Sequence, residues 1–202
     1  AIVSNGTTMA DAGAFSGVLG AMTLIKTVTA SDGDATVAFE DGSASVVLDS
    51  TYPIYRITIS GAHPEEDGKY MTMQFNAAGG SGYDETLTTS MFRAYHFESD
   101  SSGLDYDTGN DQAQGTGFQI ICGDVGNVSD ESIVGVLHLF SPSSTTFVKH
   151  FMSRFEGNAS SNYAIDMYTA GYFNTTSAID EIQFKMSSGN IDAGDICLYG
   201  IN

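Results

Sequence analysis

Residues 54–60 read Ile-Tyr-Arg-Ile-Thr-Ile-Ser, and from the tyrosine onward apolar and polar side chains alternate. On an extended chain, Tyr55, Ile57 and Ile59 share one face, and the polar side chains between them share the other. Because successive side chains of a β-strand leave opposite faces, this period of two predicts a strand with one buried face. A helix would need apolar spacings of three and four, and no window of ten or more residues holds that spacing.

The same alternation recurs along the chain between turn residues, as in residues 71–76, where Met71, Met73 and Phe75 share one face. Short strands at regular spacing are typical of a β-sandwich or barrel and not of βαβ units. The candidate strands span residues 22–30, 35–40, 46–48, 54–60, 70–76, 86–97, 117–122, 132–140, 146–155, 163–173, 179–186 and 195–201. We therefore predict an all-β fold, an antiparallel two-sheet β-sandwich that is jelly-roll-like.

The last candidate strand carries apolar and aromatic side chains on both faces over residues 196–201. This distribution predicts an interior strand that is paired on both sides. A chain of 202 residues is the length of one domain. We assign residues 22–202 to a single β-sandwich domain and residues 1–21 to an N-terminal arm. Residues 9–22, rich in Ala and Gly, predict a short turn of helix, and we expect the arm to reach a neighbouring molecule in an assembly.

The chain is strongly acidic, with 7 Lys and Arg against 25 Asp and Glu and a net charge of −18. Such a chain repels the phosphates of nucleic acids and lacks the basic clusters that anionic lipid headgroups attract. The most apolar window, Ile133–Phe140, is interrupted by Gly135 and His138 and is too short to span a bilayer. The first cation is Lys26, so no charged segment precedes an apolar one and no secretory signal is visible. We expect neither nucleic-acid binding nor membrane insertion.

The two cysteines, Cys122 and Cys197, stand far apart in the sequence, and neither has a second cysteine nearby. This spacing excludes a zinc ribbon and a CxxC redox centre. Two interpretations remain open. The cysteines are either buried free thiols, which behave as small hydrophobic side chains, or the two halves of one long-range disulfide.

An acidic segment, residues 104–111, reads Leu-Asp-Tyr-Asp-Thr-Gly-Asn-Asp. It offers oxygen-bearing side chains at alternating positions, and Ca²⁺ takes about six to eight oxygen ligands. The candidate Ca²⁺ ligands are Asp105, Asp107 and Asp111. The alternative is a solvated loop, because the glycine comes one position early for an EF-hand and Thr116 replaces the closing glutamate. We expect no other cofactor.

Catalytic signatures are missing from the sequence. The histidines are His63, His96, His138 and His150. None stands in an H-x-H or H-E-x-x-H spacing, although the last two lie in candidate strands that could be neighbours. Ser81 cannot form a G-x-S-x-G nucleophile elbow, because Tyr83 stands where the second glycine is needed. We predict that the protein is not an enzyme. The remaining catalytic alternative is a hydrolase whose two carboxylates converge across a cleft.

Aromatic side chains are abundant, with 10 Tyr, 12 Phe and no Trp. In the long candidate strands they indicate either a core or an interface between subunits. The candidate ligand or interface residues are Phe92, Tyr95, Tyr168 and Tyr172. The alternative is carbohydrate binding, because the C–H faces of sugars pack on aromatic rings while Asp and Asn of nearby loops bind hydroxyls.

Three stretches carry a family resemblance. Residues 182–194 read Ile-Gln-Phe-Lys-Met-Ser-Ser-Gly-Asn-Ile-Asp-Ala-Gly and run into Leu-Tyr-Gly-Ile at residues 198–201. Residues 91–96 read Met-Phe-Arg-Ala-Tyr-His and precede the acidic segment, and residues 2–8 read Ile-Val-Ser-Asn-Gly-Thr-Thr. In these stretches the chain resembles small virion structural proteins of tailed, often aquatic, bacteriophages. The resemblance implies a jelly-roll β-sandwich displayed on a phage particle as a tail fibre, spike or capsid decoration.

The expected function is therefore that of a non-enzymatic bacteriophage virion surface protein, made in the cytoplasm of the host bacterium and assembled by protein–protein packing. Its expected partners are other virion proteins and further copies of itself in a homo-oligomer, for which a trimer is one option. The alternative function is a carbohydrate-binding module that recognises a glycan of the host surface.

Overall fold

The regular secondary structure of this protein consists of β-strands. A computed structural model describes residues 2–4, 7–11, 14–15 and 21–202. The strands are β1 (Ile2–Ser4), β2 (Thr7–Asp11), β3 (Ala14–Phe15), β4 (Met22–Asp34), β5 (Val37–Glu40), β6 (Ile54–Pro64), β7 (Lys69–Ala77), β8 (Leu87–Phe97), β9 (Ser102–Tyr106), β10 (Ala113–Gly115), β11 (Gln119–Val125), β12 (Ile133–Phe140), β13 (Lys149–Ala159), β14 (Tyr163–Phe173), β15 (Ile179–Met186) and β16 (Ile191–Ile201). The described residues include no α-helix, and so none that is long and apolar enough to cross a membrane. The all-β prediction is confirmed.

The N-terminal strands form a small antiparallel sheet of their own, in the order β1-β2-β3. The helical turn predicted for residues 9–22 is wrong wherever the structure describes that segment, because β2, β3 and the start of β4 are extended there. Residues 12–13 and 16–20 of the predicted turn lie outside the described residues. The interpretation of residues 1–21 as an arm that reaches a neighbour stays a prediction.

The other thirteen strands form one antiparallel sheet that is nearly barrel-shaped. Strand β13 is its branch point, because it pairs along its length with β12 and β14 and also joins β11 through the pair Val125 and Ala159. A long run of strands, β4-β16-β6-β12-β13-β14-β8, thus continues into a shorter run, β11-β7-β15-β5. Strands β9 and β10 both pair with β8.

The core lies between these two runs. The ring of Phe75 in β7 lies 4.1 Å from that of Phe173 in β14 and 6.2 Å from that of Phe151 in β13, measured between centroids. Strand β7 is not hydrogen-bonded to β13 or β14, so the rings meet across the interior and the sheet curves back on itself. All three side chains are fully buried, and each such burial contributes about 1.5–3 kcal/mol to folding.

Most strand predictions agree with the structure. The last strand, β16, is paired with β4 on one side and β6 on the other, which confirms the prediction of an interior strand. The prediction of a strand at residues 46–48 is wrong. Val46 and Leu48 are buried there, but Leu48 N donates its hydrogen bond to the Asp41 carboxylate at 2.8 Å instead of to a neighbouring strand.

Both cysteines are free, so the disulfide alternative is wrong. Cys122 is buried in the core, and this burial raises the pKa of its thiol to about 12. The thiol therefore stays protonated and unreactive at neutral pH, since the thiolate is the reactive form. Cys197 lies half-buried on β16, where its Sγ is 3.4 Å from Thr27 Oγ1 of β4.

Candidate interaction face

The long run of strands turns one face to the core and the other to solvent. Strand β13 shows this most clearly, because its residues alternate strictly between buried and exposed. Phe151 and Phe155 point inward, whereas His150, Met152 and Arg154 point outward. We call the outward side of β8, β14, β13, β12, β6, β16 and β4 the outer face.

Cross-strand pairing arranges the outward side chains in rows that cross all seven strands, and each row is named here after its β13 member. From β8 to β4, the His150 row is Thr88, Tyr172, His150, Phe140, Ile54, Ile201 and Met22. The Met152 row is Ser90, Ala170, Met152, His138, Arg56, Tyr199 and Leu24. The Arg154 row is Phe92, Tyr168, Arg154, Val136, Thr58, Cys197 and Thr27. The Glu156 row is Ala94, Asp166, Glu156, Val134, Ser60, Asp195 and Thr29.

Carboxylates are distributed unevenly over these rows. The His150, Met152 and Arg154 rows contain no Asp or Glu, although the chain has 25 of them. The Glu156 row, directly beside them, contains Asp166, Glu156 and Asp195. We call the three carboxylate-free rows the acid-free strip. It joins strands that are far apart in sequence, which is why inspection of the sequence did not find it.

The acid-free strip exposes large apolar side chains. Met152 is 58% exposed, Leu24 55%, Met22 47% and Phe92 44%, and all four belong to the strip. Soluble monomers rarely expose extended apolar patches that have no role in binding. The strip thus has the composition of a surface that another molecule covers.

An aromatic stack forms a ridge along the Arg154 row. The rings of Phe92 and Tyr168 are parallel to within 7°, with centroids 4.7 Å apart, and the Arg154 guanidinium lies 4.9 Å from the Tyr168 centroid. Arg154 in turn donates to both carboxylate oxygens of Asp166, from Nε at 3.0 Å and from Nη2 at 2.7 Å.

This stack limits what the ridge can bind. Phe92 lies on β8 and Arg154 on β13, on opposite sides of β14, so they cover the two faces of the Tyr168 ring. A sugar that stacks on an aromatic side chain needs a free ring face, and Tyr168 has none to offer. Its edge and hydroxyl remain available, which suits packing against another protein surface.

The four predicted interface residues do not all lie together. Phe92, Tyr168 and Tyr172 share the outer face, but Tyr95 points to the opposite side of β8. There the Tyr95 ring packs edge-on against Phe97, with centroids 5.9 Å apart. A parity argument would have separated Tyr95 from Phe92, because residues three apart on a strand leave opposite faces.

A trough lies beside the ridge, on the same three strands and against Phe140 of β12. It has a volume of about 530 Å³. Its lining includes Thr88, Ser90, His150, Met152, Ala170 and Tyr172. The small side chains of Ser90 and Ala170 leave the space, and the larger neighbours form its walls. Hydroxyl and imidazole groups at this rim can donate or accept hydrogen bonds.

Arg56 is the second arginine of the strip, after Arg154, and the sequence analysis singled out neither of them. The register places it between His138 of β12 and Tyr199 of β16. It forms no salt bridge with any residue that the structure describes, and its Nε is buried without a hydrogen-bond partner there. Burial and, secondarily, the nearby Arg56 charge lower the pKa of His138, which favours the neutral imidazole.

The predicted Ca²⁺ ligands have protein partners. Asp107 is largely buried, and its oxygens accept hydrogen bonds from Asn110 Nδ2 at 2.9 Å and Gly109 N at 3.3 Å. Asp111 accepts one from the Tyr106 hydroxyl at 2.7 Å, and Asp105 lies 4.0 Å from Arg93. Within the described residues, no group of three or more His, Cys, Asp or Glu side chains could hold a metal ion.

The buried amide of Gln119 holds this segment against the sheet. Its Nε2 donates to Asn110 O at 2.9 Å, and its Oε1 accepts from Thr89 Oγ1 at 2.8 Å. Gln74 holds the loop between β10 and β11 in a similar way, because its Nε2 donates to Thr116 O at 3.1 Å and to Gly117 O at 2.9 Å. These contacts give the acidic segment a fixed backbone.

The histidines are not paired with one another. His138 stands opposite Met152 and His150 opposite Phe140, so the two occupy neighbouring rows. His63 Nδ1 lies 3.2 Å from Asp192 Oδ2, and His96 Nε2 lies 3.5 Å from Asp100 Oδ1.

A polar cleft of about 460 Å³ lies beyond the Glu156 row. Its lining includes Glu98, Asp130, Asn158 and Asn162. The hydrolase alternative, with two carboxylates across a cleft, would be located here, and it stays a prediction. The sequence matches no family model, no curated protein and no solved structure.

Proposed function

We propose that this protein is a non-enzymatic structural domain that assembles by packing its outer face against other proteins. The acid-free strip is the observation that carries the proposal. In a chain of net charge −18, like-charge repulsion opposes close approach over a surface that bears carboxylates. The strip combines exposed apolar side chains with an absence of carboxylates, so a partner can approach it closely.

Burial of the strip supplies the driving force. Removal of apolar surface from water contributes roughly 25 cal/mol per Å². The exposed side chains of Met152, Leu24 and Phe92 provide such surface. Aromatic residues, Met and Arg are enriched at protein interfaces, and the ridge and its surroundings contain all three types.

The setting that we propose is the surface of a bacteriophage virion, in a tail fibre, spike or capsid decoration. The resemblance of residues 91–96 and 182–194 to small virion proteins supports it. The proposal includes a jelly-roll sandwich arrangement of the curved sheet, assembly on the virion after synthesis in the host cytoplasm, and a homo-oligomeric state. Its partners are other virion proteins and further copies of the chain.

Incorporation into particles tests this function. Met152→Glu places a carboxylate in the acid-free strip, and Val128→Glu makes the same change at an exposed loop position that is 60% exposed. Each variant is produced together with the other virion proteins, and copies per particle are counted by quantitative mass spectrometry. We expect Met152→Glu to be lost from particles and Val128→Glu to be incorporated normally. Equal incorporation of both variants would contradict the proposal.

A second candidate function is carbohydrate binding, and the trough favours it. The trough presents the Tyr172 ring, the hydroxyls of Thr88 and Ser90 and the His150 imidazole around a shallow floor. A host glycan that raises the melting temperature of the wild-type chain but not of Tyr172→Ala would support this function, because ligands stabilise the native state that binds them.

A further inference from the structure

We infer that two copies of this chain dock through their outer faces and are related by a two-fold axis. The axis lies in the interface, perpendicular to the strands and midway between the Arg154 row and the Met152 row. The inference rests on the proposed function, since it names the partner of the surface that the function uses. Two-fold interfaces are isologous: the same patch serves both copies and must be complementary to itself.

The shape of the outer face is complementary to itself, as a two-fold interface requires. The ridge of Phe92, Tyr168 and Arg154 lies on the same three strands as the trough, one row away. An axis between the two rows exchanges them, so the ridge of each copy enters the trough of the other. Phe92 then lies over Ser90 of the second copy, and Tyr168 lies over its Ala170, which places two large side chains against small ones. The third ridge residue, Arg154, lies over Met152 of the second copy, where the guanidinium packs on an exposed apolar side chain.

The charges of the outer face are also complementary to themselves under this axis. The same axis places the Glu156 row of one copy over the His150 row of the other. Glu156 then faces His150 of the second copy, and Asp166 faces its Tyr172, so that carboxylates meet N–H and O–H donors. An axis parallel to the strands and centred on β12 would instead place Asp166 over Asp195 of the second copy, and like charges across an interface are unfavourable.

The arrangement also gives Arg56 a partner. In its own chain the Arg56 guanidinium has no salt bridge among the described residues, and its Nε has no acceptor there. Under the two-fold axis, Arg56 lies over Thr58 of the second copy, whose hydroxyl oxygen can accept a hydrogen bond. The contact thus offers an acceptor to the solvent-facing end of the guanidinium, whereas the buried Nε lies out of reach of a second copy.

The extent of the outer face sets an upper limit on the contact area, because the sheet is curved. Strands lie about 4.8 Å apart and alternate residues about 6.7 Å apart, so seven strands and four rows cover roughly 600 Å² on each copy. The two copies together would bury at most about 1,200 Å², and specific interfaces need roughly 1,000 Å², so the inference requires the faces to match over most of the seven strands.

A charge exchange between Glu156 and His150 tests the inference. These residues are six positions apart on one strand, about 20 Å, and cannot interact within a chain. We expect sedimentation equilibrium of the wild-type chain at neutral pH to show a dimer. His150→Glu would place Glu against Glu156 of the second copy and raise the dimer Kd at least about ten-fold. The double variant Glu156→Lys/His150→Glu would return Kd to within about three-fold of wild type.

His96→Glu is the matched control, because His96 lies on the same strand face one row beyond the Glu156 row. Its Kd should equal that of the wild type. A monomeric or trimeric wild-type chain, no rescue by the double variant, or equal weakening by His96→Glu would overturn the inference.

These outcomes separate the inference from the proposed function. A monomeric chain whose Met152→Glu variant is still lost from particles would end the two-fold inference and leave the packing function standing. A chain that neither dimerises nor loses incorporation in Met152→Glu would contradict both.

Discussion

The Arg154 guanidinium holds the Asp166 carboxylate of the neighbouring strand with two hydrogen bonds, Nε to Oδ1 at 3.0 Å and Nη2 to Oδ2 at 2.7 Å. The same guanidinium lies over the Tyr168 ring. One ion pair at the border between the acid-free strip and the Glu156 row thus fixes the position of an aromatic side chain. The ridge is therefore ordered before any partner binds, which reduces the entropy lost on association.

Loss of this pair should disturb the ridge more than the fold. Asp166→Asn and Arg154→Lys each remove the two-point contact, and we expect each to lower the melting temperature by only about 2 °C, as is usual for exposed ion pairs. Because both changes break one interaction, the double variant should melt no lower than the single variants. Differential scanning calorimetry checks this, and additive losses would show that the two side chains act independently.

Lys149 should contribute to the stability of the fold. Its side chain is only 1% exposed, and its Nζ donates to the carbonyl oxygens of Ser177 and of Thr175, the latter at 3.3 Å. Lys149→Ala would leave a cavity and unpaired carbonyls, so we expect it to lower the free energy of unfolding by about 2–4 kcal/mol.

Lys149→Met separates the two effects, because it retains most of the volume and removes only the donor. We expect it to lose about 1–2 kcal/mol in urea denaturation. Wild-type stability in Lys149→Met would mean that the carbonyl contacts contribute nothing.

Asp180 should destabilise the protein at neutral pH. Burial and then the neighbouring Glu181 charge raise the pKa of the Asp180 carboxyl, and its Oδ1 is buried without a hydrogen-bond partner among the described residues. With its pKa raised in the folded state, the native state binds a proton more readily than the unfolded chain and gains stability as the pH falls from neutral.

Asp180→Asn removes this charge. We expect it to raise the free energy of unfolding at pH 7 by less than about 1 kcal/mol, because the site is not fully buried. The gain should shrink as the pH is lowered and the wild-type carboxyl becomes protonated. Urea denaturation from pH 4 to pH 7.5 measures it, and a gain that is constant over this range would contradict the assignment.

Asp107 should stabilise its loop without a metal. Because Asn110 and Gly109 already donate to its carboxylate, Asp107→Ala should lower the free energy of unfolding by about 1–2 kcal/mol, equally in EDTA and in millimolar Ca²⁺. Thermal denaturation in both buffers tests this. A wild-type chain stabilised by Ca²⁺ that loses this response in Asp107→Ala would instead support the Ca²⁺ site that the sequence predicts.

The strands could be predicted because most of them alternate. The period of two in residues 54–60 locates β6, and apolar residues on both faces of residues 196–201 correctly predict an interior strand. Strands β9 and β10 could not be found this way. Among the described strands they pair only with β8, and neither buries a residue, so their sequences show no alternation of buried and exposed positions.

The interaction face was only partly predictable. The aromatic character of Phe92, Tyr168 and Tyr172 marked them as interface candidates, and all three lie on the outer face. The acid-free strip itself depends on register, because it brings residues 54–58 beside residues 136–140 and 150–154. No local pattern shows that Arg56 lacks a salt-bridge partner within the described part of the chain, since the acidic residues nearest to it in sequence could have supplied one.

Hydroxyl-radical footprinting of Met152 tests most directly whether the outer face works by packing. Methionine oxidises readily, and Met152 is 58% exposed in the single chain. We expect its oxidation rate to fall several-fold between dilute and concentrated or particle-bound protein, while Val128, a loop residue that is 60% exposed and lies outside the strip, reacts equally in both. Oxidation of Met152 at the same rate in the dilute chain and in the assembly would contradict the account.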